Sequence, residues 1–270
     1  MRAALAAAAG ALVLAGVLSG CARTPAQPPM LQAAPQSEPL NRANEEASTR
    51  NRARVHTELA AGYFELRNMA VALDEIKLAL RSDDTYAPAY NIAGLIYSAL
   101  KQDQLAVENF QRALRLDPID PDTNNNYGHF LCERKREAEA VRYFLAALKN
   151  PLYANRERSY VNAGVCLRRQ GDVAAAEDYF VRAIKLAPAQ PQALYQLADI
   201  AHARGEHEQA KRYLVRLEQV TQPSAEVLWL ALRIERKLGD RNAEASYGQQ
   251  LRRQFPDSKE ARALLAGSYE

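Results

Sequence analysis

Residues 87–120 have the sequence APAYNIAGLIYSALKQDQLAVENFQRALRLDPID. Small and apolar residues recur in both halves at the spacing of an amphipathic helix. Pro118 ends the second half, because proline lacks an N–H and clashes with the preceding helical turn. The stretch therefore predicts two helices joined by a turn.

The same pattern recurs along the chain with a nearly constant period. Units begin at residues 53, 87, 121, 157, 191 and 225, so the successive spacings are 34, 34, 36, 34 and 34 residues. The unit at 157 repeats the pattern at matching offsets, with Tyr160, Ala163, Gly164, Ala176, Phe180, Ala183 and Pro188. This pattern resembles the tetratricopeptide repeat, TPR. The resemblance implies an all-α solenoid of six helix-turn-helix repeats, because one unit alone cannot bury its apolar face.

The repeat spacing also predicts the packing within the array. Small residues at offsets 8 and 20 should let the two helices of a unit approach closely, and aromatic residues at offsets 4, 11 and 24 should fill the space between units. Glycines at offset 15 tolerate the positive φ of a turn; they are Gly171, Gly205 and Gly239. The expected repeats are 53–86, 87–120, 121–156, 157–190, 191–224 and 225–257, followed by a cap helix at 258–266 that covers the stack with Ala261, Leu264 and Leu265.

The first residues are typical of a secretory signal. Met1 and Arg2 precede an apolar run over 3–18, which ends in Leu18-Ser19-Gly20-Cys21. This ending resembles a bacterial lipobox, which implies removal of residues 1–20 and lipid attachment to Cys21. Two or three acyl chains give stable anchoring. Ala22 favours the outer membrane over the inner one, by the same resemblance. An uncleaved anchor and a plain signal peptide remain alternatives.

A spacer is expected between the lipid and the repeats. Five of the 13 prolines fall in residues 22–44, among Gln, Ser and Ala. Such a composition cannot pack a core and predicts an extended tether. We therefore divide the chain into a signal peptide (1–20), a lipidated tether (21–44) and a repeat domain (45–266).

Composition and motifs argue against an enzyme. The net charge of +3 is small, and the charged residues are mixed along the chain, so nothing indicates nucleic-acid binding. The four histidines are scattered, and no HExxH, CxxC or glycine-rich phosphate loop occurs. We expect no cofactor beyond the covalent lipid, no metal and no small-molecule substrate.

Two cysteines, Cys132 and Cys166, lie late in the first helices of neighbouring repeats. First helices of neighbouring repeats pack side by side, and the periplasm that the lipobox implies is oxidising. The pair is therefore a candidate disulfide, with two buried thiols as the alternative.

A partner-binding groove is expected along the first helices. By resemblance to TPR domains, offsets 2, 5, 9, 12 and 13 of each repeat face this groove. Phe64 and Leu95 make its first part apolar, which suits an amphipathic helix or an extended peptide. We expect Trp229 in the core, with a ligand contact as the alternative. We expect the Arg168-Arg169 pair in solvent, with a groove-facing position as the alternative. The candidate groove residues are Thr57, Ala61, Phe64, Asn91, Leu95, Asn125 and His129.

A closer resemblance exists to one family. Residues 124–132, NNNYGHFLC, and 162–166, NAGVC, are similar to the two cysteine segments of type IV pilus biogenesis lipoproteins of the PilF/PilW type. The segments Pro151-Leu152-Tyr153 and 252–256, RRQFP, also resemble that family, over about residues 41–266 in all. The first repeat is the poorest match, with His56 where the family usually has an aromatic residue and Asp84 for proline.

The family resemblance implies a pilotin. This is an outer-membrane lipoprotein that helps the pilus secretin insert and assemble into rings, and the secretin would be the partner in the groove. The alternative is a TPR adaptor that organises cell-wall hydrolases or outer-membrane protein assembly.

Overall fold

The computed structural model describes residues 37–269, so Cys21 and most of the expected tether lie outside the described residues. Every regular element within this range is an α-helix. The helices are α1 (Ser37–Glu65), α2 (Met69–Ser82), α3 (Ala87–Ala99), α4 (Asp103–Leu116), α5 (Pro121–Glu133), α6 (Glu137–Leu148), α7 (Arg156–Gln170), α8 (Val173–Leu186), α9 (Pro191–Ala203), α10 (His207–Glu218), α11 (Ala225–Leu238), α12 (Arg241–Gln254) and α13 (Lys259–Leu265).

The helices form six successive hairpins, which confirms the predicted TPR solenoid. The odd-numbered helices α1 to α11 are the first helices of the repeats, and the even-numbered helices are the second. Each second helix from α2 to α10 also packs against the first helix of the next repeat. Pro121 and Pro191 occupy the first turn of α5 and α9, where the missing N–H would have no intrahelical acceptor.

The first helices line the inner side of the array. The first helix α5 packs directly on both α3 and α7, and α9 packs on α11. No two second helices within residues 45–269 contact each other to a comparable extent. Contacts between first helices are expected in a TPR array that curves toward them, so we take the first helices as the lining of the candidate groove.

Three glycines set the distance between the helices of a hairpin. A Cβ added to Gly94 would lie 2.7 Å from the ring of Phe110, and a Cβ on Gly164 would lie 2.7 Å from the ring of Phe180. A Cβ added to Gly128 would likewise lie 2.8 Å from the ring of Phe144. The phenylalanine at offset 24 thus packs on the glycine at offset 8 of its own repeat. The same ring also fills the space between repeats, as expected, since Phe110 stacks on Tyr127 of the next repeat with ring centres 5.3 Å apart.

The turn inside each hairpin uses a left-handed residue at the same offset in all six repeats. Gly171, Gly205 and Gly239 have φ values of 92°, 86° and 81°, as the sequence predicted. The first three repeats adopt the same conformation without glycine, at Arg67, Lys101 and Lys135, with φ values of 61°, 61° and 59°. These three were not predicted, because residues other than Gly, Asn and Asp rarely adopt the left-handed conformation.

The first helix is longer than predicted. It begins at Ser37, so residues 37–44 are helical and not part of an extended tether. Pro39 does not prevent this, because it lies in the first turn, where the backbone N–H groups have no intrahelical acceptors. The described residues from 45 onward form one compact unit by themselves.

The last short helix α13 covers the end of the stack. Ala261 is 1% exposed, and Leu264 packs against the cluster formed by Leu228 and Leu251. Leu265 was expected in the same role but is 74% exposed, because it points away from this cluster. None of the described helices has the length and apolar character needed to span a membrane.

Candidate protein-interaction groove

The candidate groove is the concave surface formed by the odd-numbered helices α1 to α11. Seven residues were predicted to line it from their offsets alone. Three of them are buried: Thr57 is 5% exposed, Asn91 6% and Asn125 1%. The repeat offset alone therefore predicts more accessible groove residues than the structure has. The prediction is corrected for Thr57, Asn91 and Asn125, which do not line the accessible surface.

Two of the three buried polar residues join neighbouring helices, whereas Thr57 bonds within its own helix α1. Thr57 donates a hydrogen bond to the carbonyl of Ala53 at 2.7 Å. Asn91 accepts one from Asn126 of the next repeat at 3.2 Å. Side-chain hydrogen bonds of this kind are strongest where water is excluded, so they fix the register of the first helices.

Asn125 has the same role one repeat further on. Its side-chain oxygen accepts hydrogen bonds from the hydroxyl of Ser159 at 2.9 Å and from the amide of Asn162 at 3.0 Å. The Asn125 side chain is thereby turned toward the helix interface, which is why it is not available on the groove surface.

The first part of the groove is apolar and partly accessible. Ala61, Phe64 and Leu95 are each half-buried. Phe64 packs on the core cluster around Ile76, and Leu95 packs on the cluster around Tyr127. Each side chain therefore has a fixed position and a free face. Such a surface suits a partner's amphipathic helix or extended peptide.

His129 is the one predicted polar lining residue that is exposed. The surrounding groove walls still exclude part of its water, and this desolvation lowers the pKa of the His129 imidazole. The carboxylate of Glu133 opposes the shift, whereas Arg158 and Arg169 add to it. The ring is therefore neutral at pH 7 and presents one donor and one acceptor.

The last part of the groove carries charged and aromatic side chains that were not among the seven candidates. Arg168 was expected in solvent, but it pairs with Asp199 and bonds to Gln196 on the next first helix. Trp229 was expected in the core, but it is half-buried and lies at groove offset 5 of the sixth repeat. Arg233 occupies offset 9 of that repeat. Applying the offsets to the last two repeats would have found both.

The predicted cysteine pair is brought together. The Cα atoms of Cys132 and Cys166 lie 5.8 Å apart, with the two sulfur atoms facing each other. This separation falls within the range that a disulfide spans. The oxidised state remains a prediction.

The two-residue expansion after α6 forms a loop with a packing role. Tyr153 from this loop is 6% exposed. Burial and the negative charge of Asp122 raise the pKa of Tyr153 to about 12. Burial also raises the pKa of Asp122, at the start of α5. The extra residues thus let one aromatic side chain fold back onto α5, the first helix of its own repeat.

These features define a class of protein. Two family models described as tetratricopeptide repeat match residues 167–233 and 87–120. The chain is therefore a TPR protein, a class whose members are typically protein-interaction scaffolds.

Comparison with individual proteins shows which family of TPR proteins the chain is related to. The type IV pilus assembly protein PilF of Pseudomonas aeruginosa is 31% identical over 212 residues, which cover 78% of this chain and 84% of that protein. The chain belongs to this family of type IV pilus TPR proteins.

Two solved structures agree with this assignment. A Pseudomonas aeruginosa PilF structure has a TM-score of 0.77 and 30% identity, and the match covers 82% of this chain and 99% of that one. The structure of PilW, described as a widely conserved type IV pilus biogenesis factor, has a TM-score of 0.72 and 33% identity. That match covers 79% of this chain and 98% of PilW.

Proposed function

We propose that this protein is a non-enzymatic assembly factor for the type IV pilus secretin. It binds a secretin segment in the concave groove and promotes secretin localisation and ring assembly at the outer membrane. The observation that carries this proposal is the 31% identity to a type IV pilus assembly protein across 78% of the chain. The match extends over nearly the whole repeat array and does not depend on one generic TPR motif.

The groove supplies the recognition. Phe64 and Leu95 present free apolar faces on adjacent first helices, and their other faces are fixed by the core. Little side-chain entropy is lost when such preorganised side chains bind a partner. The half-buried Ala61 leaves space beside them for a bulky side chain of the partner.

The lipid supplies the location. In this proposal, acyl chains on Cys21 hold the repeat domain at the outer membrane, where it faces the periplasm. The lipobox Leu18-Ser19-Gly20-Cys21 and the apolar run before it support this step. Confinement to one surface raises the local concentration of protein and secretin toward each other.

Deletion of the gene should abolish the detergent-resistant secretin rings, and the wild-type gene should restore them. The Cys21→Ala variant should fold normally but leave the outer-membrane fraction and lower ring formation severalfold. Gel electrophoresis of unboiled membranes separates rings from monomers. Unchanged rings in the deletion strain would disprove the secretin role and turn attention to cell-wall or membrane-assembly partners.

The groove itself is tested by Leu95→Ala. Losing a half-buried anchor of an interface should weaken secretin binding about tenfold or more. Leu145→Ala is the matched control, because Leu145 is 40% exposed on the second helix α6. Binding is measured with purified secretin domain, and thermal unfolding is followed in parallel. Equal affinity of both variants at equal stability would contradict a role for this part of the groove.

A further inference from the structure

The segment that follows α13 turns back into the concave groove. The ring of Tyr269 stacks on the indole of Trp229, with ring centres 5.8 Å apart and planes inclined by 14°. The guanidinium carbon of Arg236 lies 3.8 Å from the centre of the same tyrosine ring. Tyr269 is therefore held by an aromatic ring and a cation, as a bound aromatic side chain would be.

The residues that hold Tyr269 occupy groove positions. Trp229 and Arg236 lie at offsets 5 and 12 of the sixth repeat, which are groove-facing offsets in TPR domains. A cavity of about 370 Å³ surrounds the segment and is lined by His202, Arg233, Arg236, Lys237, Gly267, Ser268 and Tyr269. The segment thus takes the place that a peptide ligand would take in this repeat.

The cavity is strongly basic. Arg236 pairs with Glu244 at 2.8 Å. Arg233 and Lys237 have no acidic partner within ion-pair distance among residues 42–269. The Nε atom of Arg233 is also buried without a hydrogen-bond acceptor. Buried donors of this kind are normally satisfied, so Arg233, which lines the cavity, has a donor left without an acceptor.

We propose that this cavity is a second peptide-binding site, which takes a segment with an aromatic residue next to an acidic one. We further propose that residues 267–269 occupy it as an internal competitor. The aromatic clamp of Trp229 and Arg236 selects the ring, and Arg233 and Lys237 attract the carboxylate. The chain's own sequence fits this class, since Tyr269 is followed by Glu270.

Because residues 267–269 occupy the cavity, an external peptide can bind only when it displaces them. A segment tethered a few residues from its site acts at an effective concentration in the millimolar range. An external peptide must compete with this segment, so its apparent affinity for the wild-type protein is reduced. Removing the tyrosine ring should open the site without disturbing any helix, because Tyr269 lies beyond the end of α13.

The test compares wild type with Tyr269→Ala, using a labelled acetyl-Gly-Ser-Tyr-Glu peptide and fluorescence anisotropy. Tyr269→Ala should bind the peptide about tenfold more tightly than wild type. Trp229 is the only tryptophan in the chain, so its emission should also change in the variant and change back when peptide is added.

Three controls make the result decisive. A peptide with alanine in place of tyrosine should not bind. The double variant Tyr269→Ala/Arg236→Ala should lose peptide binding. Tyr269→Phe should bind the peptide as weakly as wild type, because its ring still occupies the site. Equal peptide affinity of wild type and Tyr269→Ala would disprove the internal competitor. No binding to either protein would disprove the peptide site. A lower thermal stability of Tyr269→Ala together with no binding would assign the segment a purely structural role.

Discussion

Replacing Gly164 with alanine should lower the free energy of unfolding by about 1–3 kcal/mol, although alanine favours helix over glycine. The added methyl carbon would lie 2.7 Å from the ring of Phe180, which is itself fully buried. The ring cannot move aside, because the interior is closely packed. The two helices of the fourth repeat must therefore separate. Urea unfolding followed by circular dichroism measures the loss.

The matched control is Gly62→Ala. Gly62 also lies inside a first helix, but an added methyl carbon there would have no heavy atom within 4 Å. This substitution should raise the unfolding free energy by about 0.5–1 kcal/mol. If both variants changed stability in the same direction, close approach of the helices would not be the reason for the glycine at offset 8.

Reduction of the purified protein should lower the unfolding free energy by roughly 3–4 kcal/mol, if the predicted disulfide forms. Cys132 and Cys166 are 34 residues apart, and a cross-link of that loop restricts the unfolded chain. Their Cα separation of 5.8 Å requires no movement of the backbone. Thermal unfolding with and without a reductant measures the difference.

The double variant Cys132→Ala/Cys166→Ala is the control for this experiment. Its stability should be independent of the reductant and close to that of the reduced wild type. A wild-type protein that unfolds identically with and without reductant would show that the two cysteines are thiols. Mass spectrometry after alkylation gives the same answer independently.

The architecture could be predicted from the repeat pattern alone. Helix count, repeat boundaries and the glycine turns follow from a period of 34 residues, because each repeat is a local unit that contacts mainly its neighbours. The same 34-residue period predicts that Gly164 faces the second helix of its repeat and that Cys132 lies near Cys166. The extension of α1 to Ser37 was not predicted, because the proline-rich composition of residues 22–44 indicated an extended chain. Pro39 lies in the first turn of the helix, where proline is tolerated.

The tertiary structure decided which predicted groove residues are accessible and what occupies the groove. Asn91 and Asn125 sit at groove offsets, yet their hydrogen-bond partners lie in the next repeat, 35 and 34 residues away. The clamp of Trp229 and Arg236 on Tyr269 likewise joins separate elements. A repeat pattern predicts the direction in which a side chain points from its own helix. Whether that side chain meets solvent, a neighbouring helix or another part of the chain depends on surfaces that only folding brings together.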